Sequence, residues 1–161
     1  MKKTIISLVL FISIIVTTTL PTFAADATIA DVDKSTTITY LDDGSYVVTT
    51  LTSSPITSRS TTFTKTGNQV VSVFSGDDEL LCQYTLYGEF EVVSGVSAVC
   101  ISATYTQNIY ASGWTFSDGQ AYKSGNTAYG LGKFTKKVLL ITTKVVDIDI
   151  SITCDIYGNL S

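Results

Sequence analysis

Residues 145–158, VVDIDISITCDIYG, alternate with a period of two. Val146, Ile148, Ile150, Ile152, Cys154 and Ile156 fall on one side, and Asp147, Asp149, Ser151, Thr153 and Asp155 on the other. Successive side chains of a strand point to opposite faces, so such a strand has one dry face and one wet face. A helix would scatter both sets around its circumference. Half-wet strands belong to antiparallel sheets, because parallel sheets are covered on both faces and read as unbroken apolar runs.

The same texture recurs along the chain. TTITYLDDGSYVVTTL (36–51) reads as strand, turn, strand, with Asp43-Gly44 supplying the positive-φ turn chemistry. TTFTKTGNQVVSVF (61–74) repeats that plan, with Thr66-Gly67-Asn68 at the bend. ELLCQYTLYGEFEVV (79–93) is one long strand, with Leu80, Cys82, Tyr84, Leu86, Phe90 and Val92 on its dry side and Gly88 as a candidate bulge. Gln83, Thr85, Glu89 and Glu91 form its wet side. Ser94-Gly95 turns into VSAVCISATYTQN (96–108). KKVLLITTKVVDIDISITC (136–154) is either one very long strand or two joined near Thr142 to Lys144. Short strands with frequent turns and no helical periodicity predict an all-β fold: a single antiparallel β-sandwich, immunoglobulin-like or jelly-roll-like, over residues 25–161.

The first 24 residues read differently. Lys2 and Lys3 precede an apolar run, Ile5 to Val16, of signal-peptide length and too short to span a bilayer. Thr22-Phe23-Ala24 and Ala25-Asp26-Ala27 both fit a small-x-small cleavage site. We therefore expect a cleavable signal peptide, 1–24, and a freely secreted product. Without Lys2 and Lys3, eight basic residues face 14 acidic ones, a net charge of −6. Such a chain repels phosphate backbones, so nucleic acid is not an expected partner. No basic amphipathic stretch is present to lie on a membrane, and membrane insertion of the mature chain is not expected either.

YLDDGSYVVTTL (40–51) and ITCDIYGNLS (152–161) resemble segments of a family of small secreted proteins from Gram-positive bacteria with no assigned activity. The resemblance spans most of the chain after the leader, with a cysteine in the middle and one in the last strand. It implies a compact β domain and carries no mechanism with it.

The chain has no histidine, which removes the usual general base, the Ser-His-acid and Cys-His arrangements and the commonest ligand of catalytic zinc. No metal site or cofactor is expected. Asp147, Asp149 and Asp155 on one strand face have the oxygen chemistry of a calcium site, but an acidic edge that discourages sheet-to-sheet association explains them as well. Asp42, Asp43, Asp77, Asp78 and Glu79 sit in expected turns. Three cysteines in an exported chain leave one over after pairing. A hairpin turning at Ser94-Gly95 keeps Cys82 and Cys100 apart, so Cys100–Cys154 is the expected disulfide. Cys82–Cys154 and three unpaired core thiols are the alternatives.

Residues 111–132, ASGWTFSDGQAYKSGNTAYGLG, hold the one tryptophan and several rings among glycines. Rings beside amides and hydroxyls suit neutral sugars, since a ring covers the apolar C–H face of a sugar. Tyr110, Trp114, Tyr122 and Tyr129 are accordingly the candidate ligand-binding residues. The competing reading sends Trp114 and Phe116 into the core and leaves the glycines to make turns. These features point to a secreted, non-catalytic binding module with a glycan or cell-surface partner. A carboxylate-dependent polysaccharide enzyme and a bacteriocin-like toxin are the alternatives.

Overall fold

The computed structural model describes residues 33–55 and 60–161. The expected signal peptide and both cleavage sites lie outside the described residues. Eight strands are present: β1 (Lys34–Tyr40), β2 (Tyr46–Ser53), β3 (Thr62–Phe74), β4 (Leu80–Val93), β5 (Ser97–Ile109), β6 (Trp114–Ser124), β7 (Thr127–Val138) and β8 (Ile141–Thr153). The first five form one antiparallel sheet and the last three another, each in sequence order. β7 lies over β4 and β5, and β8 lies over β3, which makes the two-layer sandwich. Within that class the connectivity is a meander. Each strand of a sheet pairs with its neighbour in sequence, without the Greek-key returns of immunoglobulin-like or jelly-roll sandwiches.

The clearest alternations survive except at the end of the last one, where β8 stops at Thr153 and Ile156, expected on the dry face, lies exposed in the following turn. Cys82, Tyr84, Leu86, Phe90 and Val92 of β4 are buried, and so are Val146, Ile148 and Ile152 of β8. Asp43-Gly44 turns β1 into β2 with Gly44 at φ 79°, and Gly95 at φ 73° turns β4 into β5.

Three local expectations are corrected. β3 runs straight through Thr66-Gly67-Asn68, and Gly67 is in register with Ser53 and Gly88. It is glycine because a β-carbon there would collide with the Leu160 side chain. Gly88 is also in regular register, opposite Ala103, and the bulge falls on β5 across from Glu89 and Phe90, where Ile101 is the extra residue between Cys100 and Ser102. A β-carbon at Gly88 would lie 2.8 Å from the Phe90 ring. Finally, 136–154 is two strands, but they are joined at Leu139-Leu140 rather than near Thr142 to Lys144.

The ring-and-glycine stretch forms the β6–β7 hairpin. Trp114 is 6% exposed and faces the core, so it is no ligand platform; among the described residues its Nε1 has no hydrogen-bond acceptor. Phe116 packs 5.0 Å from Phe134 and 5.9 Å from Tyr84, which stacks on Tyr105 at 5.2 Å. Glycines leave room for these rings. A β-carbon at Gly132 would stand 2.6 Å from Phe116, and one at Gly130 would stand 2.8 Å from the Tyr84 hydroxyl. That hydroxyl donates to the Gln120 carbonyl oxygen at 2.9 Å, so the buried phenol is satisfied.

The expected Cys100–Cys154 disulfide is absent, and Cys82, Cys100 and Cys154 are three buried free thiols. Cys100 and Cys154 flank one turn. The Cys100 N–H donates to the Gly125 carbonyl at 2.9 Å, and the Cys154 N–H donates to the Asn126 carbonyl at 3.0 Å. The backbone thus spends both cysteines on tying the β6–β7 turn to its neighbours. Burial pushes the Cys82 thiol up to about 12 and Cys154 up to about 11. The thiolate is the reactive form. Folded protein at neutral pH should therefore resist iodoacetamide at all three positions and react fully once unfolded. Mass spectrometry of the alkylated chain checks this, and rapid labelling of native protein would contradict the burial described.

Candidate binding groove

The outer face of the five-stranded sheet carries two side-chain rows that register sets side by side. Thr52, Asn68, Tyr87 and Thr104 are cross-strand neighbours on β2 to β5. Thr66, Glu89 and Ser102 make the next row, and Ser54 extends it through a 3.0 Å contact with the Thr66 hydroxyl. Between the rows runs the backbone of Gly67 and Gly88, whose Cα–H groups face the other side of the sheet, toward Leu160 and Phe90. The result is a groove of about 430 Å³ walled by hydroxyls, one amide, one carboxylate and Tyr87. Tyr87 is 41% exposed although its neighbours in the strand are buried.

A second hollow, of about 480 Å³, lies between β5 and β6, the facing edges of the two sheets. Ile101, Ser102, Ala103, Ala121, Tyr122 and Lys123 line it. Ser102 also lines the first groove, so the two hollows adjoin at that residue. The Ile101 bulge lies at this junction. Bulges bend and twist a strand locally, and they often occur beside sites. Lys123 crosses from β6 and donates to the Ile101 carbonyl at 2.8 Å, which fixes the gap between the sheets. At the far end Tyr122 stacks on its cross-strand partner Tyr129, with centroids 4.9 Å apart and planes 10° apart. Tyr122 is 47% exposed.

No family model, curated protein or solved structure matches the chain.

The residues themselves must therefore carry the chemistry. Among those lining the two hollows, Glu89 is the one carboxylate and Lys123 the one cation, and Lys123 is tied to backbone. Glycoside hydrolysis needs two carboxyl groups flanking the scissile bond. The groove offers one, set among neutral hydrogen-bonding groups. It can hold a neutral, polyhydroxylated molecule, with the Tyr87 ring set among donors and acceptors and the Tyr122 ring in the adjoining hollow.

Four other carboxylates have partners of their own. Hydrogen bonding from Ser45, then from Lys144 at 2.9 Å, holds the Asp43 carboxyl well below the usual range. Asp78 accepts from the Tyr46 hydroxyl at 2.8 Å. Asp147 faces Lys133 at 3.6 Å. Asp155 is turned into the C-terminal bend, where the N–H groups of Tyr157 and Asn159 donate to it at 2.8 and 2.9 Å. It is therefore not aligned with Asp147 and Asp149.

Of the four ring positions picked from sequence, Tyr122 and Tyr129 come together and Trp114 is lost to the core. Tyr110 is exposed on the β5–β6 connection, outside both hollows. Asn68, Tyr87 and Thr104 were not among the candidates. Parity was the available signal, since Tyr87 shares its side of β4 with Gln83, Thr85 and Glu89.

Proposed function

We propose that this protein is a secreted, non-catalytic binding module for a neutral carbohydrate chain. The observation that carries the reading is the pair of hollows that adjoin at Ser102, one holding Tyr87 among hydroxyls and the other Tyr122. An extended, hydroxyl-rich chain fits such a surface, because the first hollow sets the Tyr87 ring among short polar side chains and the second adds the Tyr122 ring. Binding sites of this sort combine apolar or aromatic surface with a few placed polar groups. The apolar leader supports a place outside the cell, where glycan partners are found. The similarity of 40–51 and 152–161 to a family of small secreted Gram-positive proteins supports the same setting.

The test is titration with cellohexaose and chitohexaose by calorimetry. Wild-type protein should bind at least one. Tyr87→Ala should weaken that binding by at least roughly tenfold, which corresponds to about 1.4 kcal/mol. Its melting temperature should stay unchanged, because the ring lies outside the core. Undiminished binding by Tyr87→Ala would remove the groove from the site. Failure of wild-type protein to bind any neutral oligosaccharide would remove the proposal.

A further inference from the structure

The β7–β8 hairpin ends in a turn that local preference does not explain. Leu139 and Leu140 adopt φ values of 49° and 69°, both in the left-handed region. A two-residue hairpin loop of this kind favours Asn-Gly, because side chains beyond glycine and asparagine are strained there. Here both positions hold leucine. Neither leucine covers the core, since Leu139 is 91% exposed and Leu140 95% exposed. Val138 and Ile141, the last pair before the turn, are exposed as well. The turn thus works against both conformational preference and solubility, and such outliers point to function.

The geometry is that of a projecting point. β6 begins at Trp114, opposite Lys136, and its last tie to the hairpin is the Lys137 N–H donating to the Gly113 carbonyl at 2.8 Å. Beyond Lys137 no strand among the described residues pairs with the hairpin. Lys136 and Lys137 stand at its base, with Lys144 paired across from Lys136. The other turns at this end of the sandwich carry Asp42, Asp43, Asp77, Asp78 and Glu79, and Lys144 engages Asp43. Among the described residues, positive charge at this end is therefore confined to the hairpin itself.

We infer that the Leu139–Leu140 tip enters the boundary between headgroups and acyl chains of a phospholipid bilayer, with Lys136 and Lys137 meeting the phosphates. Two considerations favour lipid over another occupant. Four side chains on a narrow projection bury far less than the roughly 800 Å² per partner of a stable protein interface, which argues against a second copy. A convex apolar point needs a surface that yields around it, and a bilayer does so without a preformed pocket. Lysines just behind the apolar residues match the usual arrangement of peripheral membrane anchors. The sequence expectation that membranes play no part considered amphipathic helices and transmembrane runs, and a hairpin tip is neither.

The full chain carrying Leu140→Cys, labelled there with an environment-sensitive NBD probe, reads the tip directly. The three native thiols are buried and stay unlabelled. Vesicles of phosphatidylcholine with phosphatidylglycerol should shift the probe's emission to the blue, and a doxyl-labelled lipid should quench it. The same probe at Ser124→Cys, at the opposite end of β6, should show neither effect. Replacing the tip by Leu139→Asn with Leu140→Gly should raise the melting temperature and reduce co-sedimentation with these vesicles. No blue shift at 140, or an equal shift at 124, overturns the inference. A shift that depends on protein concentration and needs no vesicles also overturns it, and assigns the tip to self-association.

Discussion

Phe134→Ala is expected to remove about 3–5 kcal/mol of stability, the range for truncating a fully buried aromatic ring. Phe134 is fully buried on β7, the central strand of the three-stranded sheet. It meets Phe116 at 5.0 Å and 51°, in a cluster with Tyr84 and Tyr105. Strands hold this cluster on both sides, so it cannot collapse to fill the hole. A domain of ordinary stability has about 5–15 kcal/mol in all, so the variant should be marginal. Urea unfolding should show a much lower midpoint at similar slope. A loss under about 1 kcal/mol would mean that the rings do not pack as described.

Gly132→Ala should also destabilise, by about 1–3 kcal/mol, against the usual sign. In an ordinary extended position, replacing glycine by alanine helps by reducing the freedom of the unfolded chain. The φ of Gly132 is not in the left-handed region, so strain is not the obstacle. The obstacle is Phe116, whose ring atoms would lie 2.6 Å from the new methyl. Phe116→Leu in the same chain should therefore recover part of the loss. A double-mutant cycle gives the coupling, and residues in contact commonly couple by about 0.5–3 kcal/mol. Purely additive effects would show that the ring and the glycine do not share this space.

How far the fold could be read from the chain depended on where the cause of each feature lay. β4 and β8 were legible because their alternation is local and strong. The turns at Asp43-Gly44 and Ser94-Gly95 were legible because residue type and φ agree there. Gly67 and Gly88 misled because in a strand they look like punctuation. Their real partners are Leu160, near the far end of the chain, and Phe90 with Ala128 across the sandwich. No window of sequence shows such contacts. Lys65 is harder still: it sits inside the sandwich with its ammonium donating to the Ser54 carbonyl, where pattern alone would place it in water. The Leu139-Leu140 turn went unseen because neither residue favours a turn.

The site was half legible for the same reasons. Tyr122 and Tyr129 could be picked because rings among hydrogen-bonding residues stand out, but sequence could not show that register stacks them. Trp114 was picked on identity, and its burial depends on which face of β6 the other sheet covers. Tyr87 is one of three rings in β4, the other two being buried, and only the groove on its side of the sheet gives it meaning.

The meander has a kinetic consequence. Every ladder joins strands adjacent along the chain, so each hairpin can close without first bringing distant segments together. Loop closure is therefore inexpensive in entropy, and contact order stays low for an all-β molecule. Its refolding should outpace that of Greek-key proteins of equal size, with docking of the β6–β8 hairpins onto the larger sheet as the late step.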